Sequence, residues 1–459
     1  MEKDKNVVNK KIALVAAVIG SFITPYMSSA INVALPPIGK EFSMQAFLLS
    51  WIATSYILSA AIFLVPIGKI ADLYGRKKIF LYGVISYTFF SLLCGIATSS
   101  TSLIIFRVMQ GIGSAMIFST CIAILTSLFP AGERGKALGI SSASTYLGLS
   151  SGPALGGFLT YHFGWRSIFF ANIPFGLILI FLIIWKLDGE WAEARGEKFD
   201  YLGSIIYSIA LMMIMFGFYL LPALAGKWLI LLGIFGILFF IWLEMRLVHP
   251  VLHIDLFKKN KVFAFSNLAA LISYCATAAI GFLLSLYLQY VKGLNPQTTG
   301  FILVAQPIMM SVFSPFAGKL SDKVEPRIVA SIGMGLTVIG LLFFTRLNEN
   351  TSILFIIFGL LILGLGFALF SSPNVNAIMS SVENKFYGVA SAMLATMRLI
   401  GYMLSIGIAM FLFGLYVGNV EIKPEHYSNF LISIRVAFVV FAILCFGGIF
   451  ASLSRGKIR

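Results

Sequence analysis

Apolar stretches of about 20 residues or more follow one another along this chain, separated by short charged or Gly/Pro-containing turns. A hydrocarbon slab about 30 Å thick is crossed by about 20 apolar residues in a helix. Helices and closed barrels are the only spanning solutions, because lipid cannot satisfy backbone polar groups. The runs are too long and too uniform for barrel strands, so the expected fold class is an all-α polytopic membrane protein. A mean hydropathy of +0.96 agrees with that reading. The start, MEKDKNVVNKKIALVAAVIG, is basic and then apolar but ends in no small-residue cleavage site, and reads as a retained first span. The four cysteines, Cys94, Cys121, Cys275 and Cys445, all fall inside apolar runs without pairing or metal-ligand spacing, which suits packing residues.

Breaks at the turns give spans near 12–36, 47–67, 78–98, 101–129, 136–161, 166–187, 201–222, 226–247, 261–291, 297–318, 327–346, 351–381, 385–418 and 429–453. That is fourteen, and an even count puts both termini on one side. Of the 33 Lys and Arg, 24 fall in loops on the N-terminal side, 6 on the opposite side and 3 within spans (Arg107, Arg398, Arg435). Lys and Arg mark the cytoplasmic side of membrane proteins, so both termini are expected in the cytoplasm. The same bias accounts for the net charge of +15 and removes the need for a nucleic-acid partner.

Charge is scarce in this chain, yet GKIADLYGRKK (68–78) gathers five charges between spans 2 and 3. GKLSDKVEPR (318–327) lies 250 residues later, between spans 10 and 11. Aligning Gly68 and Asp72 with Gly318 and Asp322 superimposes spans 1–6 on spans 9–14. The division expected is an N-terminal six-helix bundle (1–187), two inserted helices with linkers (188–260) and a C-terminal six-helix bundle (261–459). A parallel repeat of this kind is the plan of alternating-access carriers, with a substrate site near the midplane.

With these residues in place the sequence resembles the major facilitator superfamily, and within it the fourteen-span drug/proton antiporter branch of multidrug and tetracycline exporters. The most specific match is the hairpin Gly68, Lys69, Asp72, Gly75 and Arg76, with Gly318, Asp322 and Arg327 as its copy. The resemblance implies a conformational latch there, and Arg134 in GERGK is the expected partner of Asp72; the plainer alternative is a loop that only sets topology. Span 4 carries RVMQGIGSAM, matching the family pattern at Arg107, Gln110, Gly111 and Gly113. Arg107 either faces a wet interior or snorkels to the interface. Span 5 holds GLSSGPALGG, and Gly148, Gly152, Pro153, Gly156 and Gly157 resemble the motif that distinguishes exporters. Small residues at this spacing let helices approach closely, and Pro153 allows a bend. INVALPPI in span 1, GWRSIFFANIPFG, FDYLG, HPVLHIDLF and LQYVKGLNPQTTG resemble the fourteen-span branch in particular.

The chain departs from the branch at one point. Members commonly place an acid in span 1, implicated in proton coupling and cation binding, and here Met27 holds its place. All 18 Asp and Glu lie in loops, tails or span ends, and no histidine is central: His162 and His426 fall on the outer side, His249 and His253 on the cytoplasmic side. The proton is the coupling ion implied by the resemblance, but no side chain that titrates near neutrality stands at mid-membrane. The interior offers Arg107, Arg398, Gln110, Gln306, Asn32, Asn172, Asn374 and Asn376 as cavity candidates. Arg398 has no acid within its span, so carbonyls, amides, water or an anion must meet its charge. It either biases a cavity toward neutral or anionic amphiphiles or bridges helices.

An intramembrane enzyme is disfavoured, because proteolytic carboxylates, a clustered metal site and a buried Lys or His base are all missing from the spans. The expected function is a secondary active exporter of small hydrophobic or amphipathic compounds, with no cofactor beyond a proton. The alternative is a lipid flippase or a facilitative, anion-selective carrier. A monomer in the plasma membrane of a prokaryotic cell is the expected setting.

Overall fold

The computed structural model describes residues 2–129, 131–192, 194–221, 223–247, 257–258, 260–383, 387–418 and 422–456. Among them the chain is helical, without strands. Six long helices come first: α1 (Glu2–Glu41), α2 (Ala46–Tyr74), α3 (Arg76–Gly95), α4 (Ser100–Leu128), α5 (Ala131–Phe163) and α6 (Ser167–Trp185). Two follow, α7 (Tyr201–Leu220) and α8 (Leu224–Glu244). Six more complete the chain: α9 (Lys261–Val291), α10 (Pro296–Ser321), α11 (Pro326–Phe344), α12 (Ile353–Ser380), α13 (Tyr387–Tyr416) and α14 (Tyr427–Ser454). Thirteen of these are long and apolar enough to cross a membrane. The fourteenth, α5, has 33 residues, and its glycines and serines lower its hydropathy.

Most helices run past the apolar spans of the sequence, since the spans mark hydrocarbon while the helix continues until a cap or glycine stops it. Ser99 caps α4 in a reciprocal box with Ser102. Asn295 caps α10, with Pro296 in its first turn. Each cap accepts one of the backbone N–H groups that the first turn leaves without a partner.

The two sets of six pack alike. In the first, α1 pairs with α5, α2 with α4, α3 with α4, and α6 with α1 and α3. In the second, α9 pairs with α13, α10 with α12, α11 with α12, and α14 with α9 and α11. The seam between halves repeats the symmetry, with α2 against α13 and α5 against α10. Inserted helix α7 lies over one side of that seam. Its Tyr207 donates to the Ala61 carbonyl of α2 at 3.0 Å, and its Phe218 packs at Gly407 of α13.

We call the face bearing residues 2 and 456 the terminal face and its opposite the far face. On the terminal face a single residue, Gly75, joins α2 to α3 with φ 120°, a conformation that favours glycine. A β-carbon there would lie 2.4 Å from the Glu190 carboxyl carbon. Asp72 pairs with Arg76 at 2.7 Å, and Arg76 reaches Ser127 and the Ala123 carbonyl of α4. The segment after α6 clasps the hairpin. Lys69 pairs with Glu197 at 2.6 Å, the Lys77 amide donates to Glu190 at 2.8 Å, and the Arg76 amide donates to the Trp191 carbonyl at 2.8 Å.

The Arg134 and Asp322 side chains, expected in the latch and its copy, lie outside the described residues, as do His249 and His253. Gly318 faces Ser372 of α12. Arg327 stands half-buried in the first turn of α11.

This geometry ranks two substitutions. Asp72→Asn should lower stability by about 1 kcal/mol or less, because the pair is partly solvated. Gly75→Ala should cost about 1–3 kcal/mol from backbone strain and should also displace Glu190. Thermal unfolding in detergent checks the order, and an unchanged midpoint for Gly75→Ala would contradict the clasp.

Candidate functional site

The glycine motif of α5 serves two neighbours. Gly148, Gly152 and Gly156 face α1, where a β-carbon on Gly156 would come within 2.7 Å of the Ala30 β-carbon. Gly157 faces the other half, 2.5 Å by the same measure from the Pro296 carbonyl oxygen of α10. Gly300 of α10 returns the contact, with its added β-carbon 2.0 Å from the Pro153 carbonyl oxygen. Backbone meets backbone across the seam, which only small residues permit.

Prolines prepare this seam. A proline in a helix lacks the N–H that would bond the carbonyl four residues earlier. Pro153 thereby frees the Leu149 carbonyl, and Ser29 of α1 donates to it at 3.1 Å. Pro36 and Pro37 of α1 free the carbonyls of Asn32 and Val33. Ser285 of α9 donates to Asn32 O at 2.6 Å, and Gln289 donates to Val33 O at 3.0 Å. Gln289 also donates to the Ser285 hydroxyl at 3.0 Å. These bonds bolt α1 to α9, one half to the other, on the far side of the midplane. The Asn32 side chain itself sits beside Gly281 of α9.

Other bonds between the halves join Thr54 to Met410, Tyr146 to Ser371 and Ser150 to Ser311. The hydrogen bonds linking the six-helix sets at Asn32, Val33, Thr54, Tyr146 and Ser150 lie at mid-helix or toward the far face. The molecule is therefore tied shut on the far side.

Arg398 lies close to the middle of α13 and is half-buried. Its guanidinium carbon is 5.1 Å from the Tyr274 ring centroid, and its buried Nε has no hydrogen-bond partner. Among the described residues, Tyr146, Tyr274 and Tyr402 are the ionisable side chains within electrostatic reach, and none is a carboxylate. Tyr274 meets Phe367 edge-on at 5.5 Å and Tyr402 at 5.6 Å. Tyr146 belongs to the first half and the others to the second, so the cluster straddles the seam at mid-membrane.

The remaining sequence candidates fall elsewhere. Arg107 is fully enclosed in the first half: it donates to the Ile52 carbonyl at 3.0 Å and to Gln110 at 2.6 Å, and lies 4.2 Å over the Tyr56 ring. Gln110 passes the chain on to Ser91 at 2.7 Å. These bonds brace α2, α3 and α4, and Arg107 neither snorkels nor lines the seam. Met27 is buried, with the Asn172 amide 3.3 Å from its sulfur. Asn374 sits toward the terminal face, donating to Ser266 O at 3.1 Å and accepting from buried Arg455 at 3.0 Å. Asn376 donates to Ser321 at 2.9 Å. Gln306 is half-buried on α10, its carbonyl close against Gly364 of α12.

Sequence reasoning missed Ser285, Gln289 and the three tyrosines. Counting back four residues from Pro36 and Pro37 would have exposed the free carbonyls. The tyrosines carried no local signal, since only packing brings them to Arg398.

Two six-helix sets related by a repeat, with one of two extra helices against their seam and the other packed on it, define a polytopic carrier fold. The Major Facilitator Superfamily model matches residues 17–199 and 267–456, and the chain belongs to that family. It is 30% identical to the riboflavin transporter RibZ of Clostridioides difficile over 443 residues, covering 96% of each chain. It is 31% identical to the multidrug resistance protein Stp of Mycobacterium tuberculosis over 403 residues, covering 85% of this chain and 73% of the relative. The tetracenomycin C resistance and export protein of Streptomyces glaucescens is 27% identical, covering 89% and 76%. Among solved structures, an inward-facing bacterial homologue of the human lysosomal transporter Spinster superposes with a TM-score of 0.69 over 97% of both chains, at 16% identity.

Proposed function

We propose that this chain is a secondary active exporter of hydrophobic or amphipathic organic compounds, working by alternating access between its two halves. The observation that carries the reading is the far-side closure. Two pseudo-symmetric bundles meet through small residues and a few hydrogen bonds, a seam that can part without unfolding either bundle. Relatives named for riboflavin, tetracenomycin C and multidrug resistance favour organic cargo of several shapes. The terminal face is assigned to the cytoplasm by its excess of Lys and Arg, in the plasma membrane of a prokaryotic cell.

Coupling to protons comes with the family resemblance, while the lack of any mid-span acid in the sequence favours a second reading, a gradient-indifferent and anion-selective carrier of the same fold. Efflux of a lipophilic dye from proteoliposomes, with and without an imposed pH gradient, separates the two. An exporter driven by protons should accelerate at least about tenfold, equivalent to lowering the effective barrier by about 1.4 kcal/mol. Equal rates leave the facilitative carrier, and no protein-dependent flux of any probe refutes both.

A further inference from the structure

The Arg398 cluster has a chemistry narrower than general amphiphile transport requires. A guanidinium at mid-membrane is costly unless it is paired or solvated. Arg107 and Arg455, also enclosed, offset that cost with hydrogen bonds to side-chain and backbone oxygens, with Arg107 Nη2 alone of their nitrogens buried and unpartnered. Arg398 is met differently: its Nε is buried without a partner, its side chain bonds the Tyr274 phenol, and the described groups around it are phenols and rings rather than carboxylates.

The rings are held. Tyr274 is braced edge-on by Phe367 and Tyr402, and the Tyr146 hydroxyl is tied to Ser371 at 2.8 Å. What such a place lacks is a negative charge, and what it offers beside the cation is aromatic surface. Planar guanidinium binds planar oxyanions through parallel N–H groups and stacks on π faces. A quaternary ammonium would instead meet a fixed like charge with no acid to screen it.

We propose that Arg398, with Tyr146, Tyr274 and Tyr402, forms a specificity site for planar aromatic anions, such as aryl carboxylates or sulfonates. The proposal rests on the transporter reading for its biological use, but binding can be measured without transport. Because Tyr146 and Arg398 come from opposite halves, an occupant here touches both bundles and holds them in register.

The test is equilibrium binding to the full chain in zwitterionic nanodiscs, with empty discs subtracted for partitioning. Pyrene-1-sulfonate and a pyrenyl trimethylammonium ion serve as probes matched in ring and opposite in charge. The native protein should bind the anion at least about tenfold more tightly than the cation. Arg398→Gln should abolish that preference, and Arg398→Lys, which keeps charge but loses planarity, should retain it in part. Equal binding of both probes by the native protein overturns the proposal, as does an undiminished preference in Arg398→Gln. The native comparison and Arg398→Lys stand even if Arg398→Gln does not fold. Failure of efflux alongside an intact anion preference would sink the transport reading and leave this site standing.

Discussion

Gly300→Ala should abolish transport, with efflux falling at least about 100-fold, or about 2.7 kcal/mol. The new β-carbon would lie 2.0 Å from the Pro153 carbonyl oxygen, little more than half of an ordinary contact of about 3.5–4.0 Å. Both partners are backbone, so no side chain can rotate away and α10 must retreat from α5. Overpacking of one methyl typically costs about 1–3 kcal/mol. Here the cost falls only on the far-side-closed state, because parting the halves relieves it. Spin labels at the far-face ends of α5 and α10 should report a longer distance in the variant. Gly335→Ala is the control, since a β-carbon there meets nothing within 4 Å. Wild-type efflux with an unchanged label distance would remove this contact from the gate.

The second large effect concerns the bolt between α1 and α9. Ser285→Ala combined with Gln289→Leu leaves the Asn32 and Val33 carbonyls without the donors that now reach them at 2.6 and 3.0 Å. A buried acceptor without a partner costs about 1–3 kcal/mol, whereas in the parted state water can take the donors' place. The closed state should lose about 2 kcal/mol or more, a shift of about 30-fold or more toward far-side opening. The same label pair measures it. A cycle isolates the cause: Pro36→Ala with Pro37→Ala restores the two N–H groups to α1, satisfies both carbonyls within the helix and should largely silence the Ser285/Gln289 replacement. If the replacement acts equally in both backgrounds, the prolines have no part in the bolt.

Much of the architecture was legible because hydropathy and charge are local quantities. A run of apolar residues must become a helix in lipid whatever its neighbours do, so the spans could be counted before any packing was known. The copied hairpin at Gly68–Asp72 and Gly318–Asp322 likewise announced the repeat that the paired helices display. Arg107 and Arg398 read almost alike in sequence, each a cation within an apolar span. Their fates differ because α2 and α4 of one bundle supply Arg107 with oxygens, while Arg398 faces tyrosines gathered from α5, α9 and α13. Asn374 and Asn376 illustrate the same limit, since their partners at Ser266, Arg455 and Ser321 lie 55 or more residues away in sequence.

Sequence by itself determined the helical class, the two-fold plan and the family, since each follows from composition and motif within a single segment. Tertiary structure alone decided that the segment after α6 clasps the first hairpin, that α7 covers the α2–α13 seam, and that proline-freed carbonyls of α1 receive donors from α9. The physical reason is range. Hydrocarbon acts on every residue through its own side chain, whereas hydrogen bonds and close backbone contacts exist only after distant helices have been brought within a few ångströms of each other.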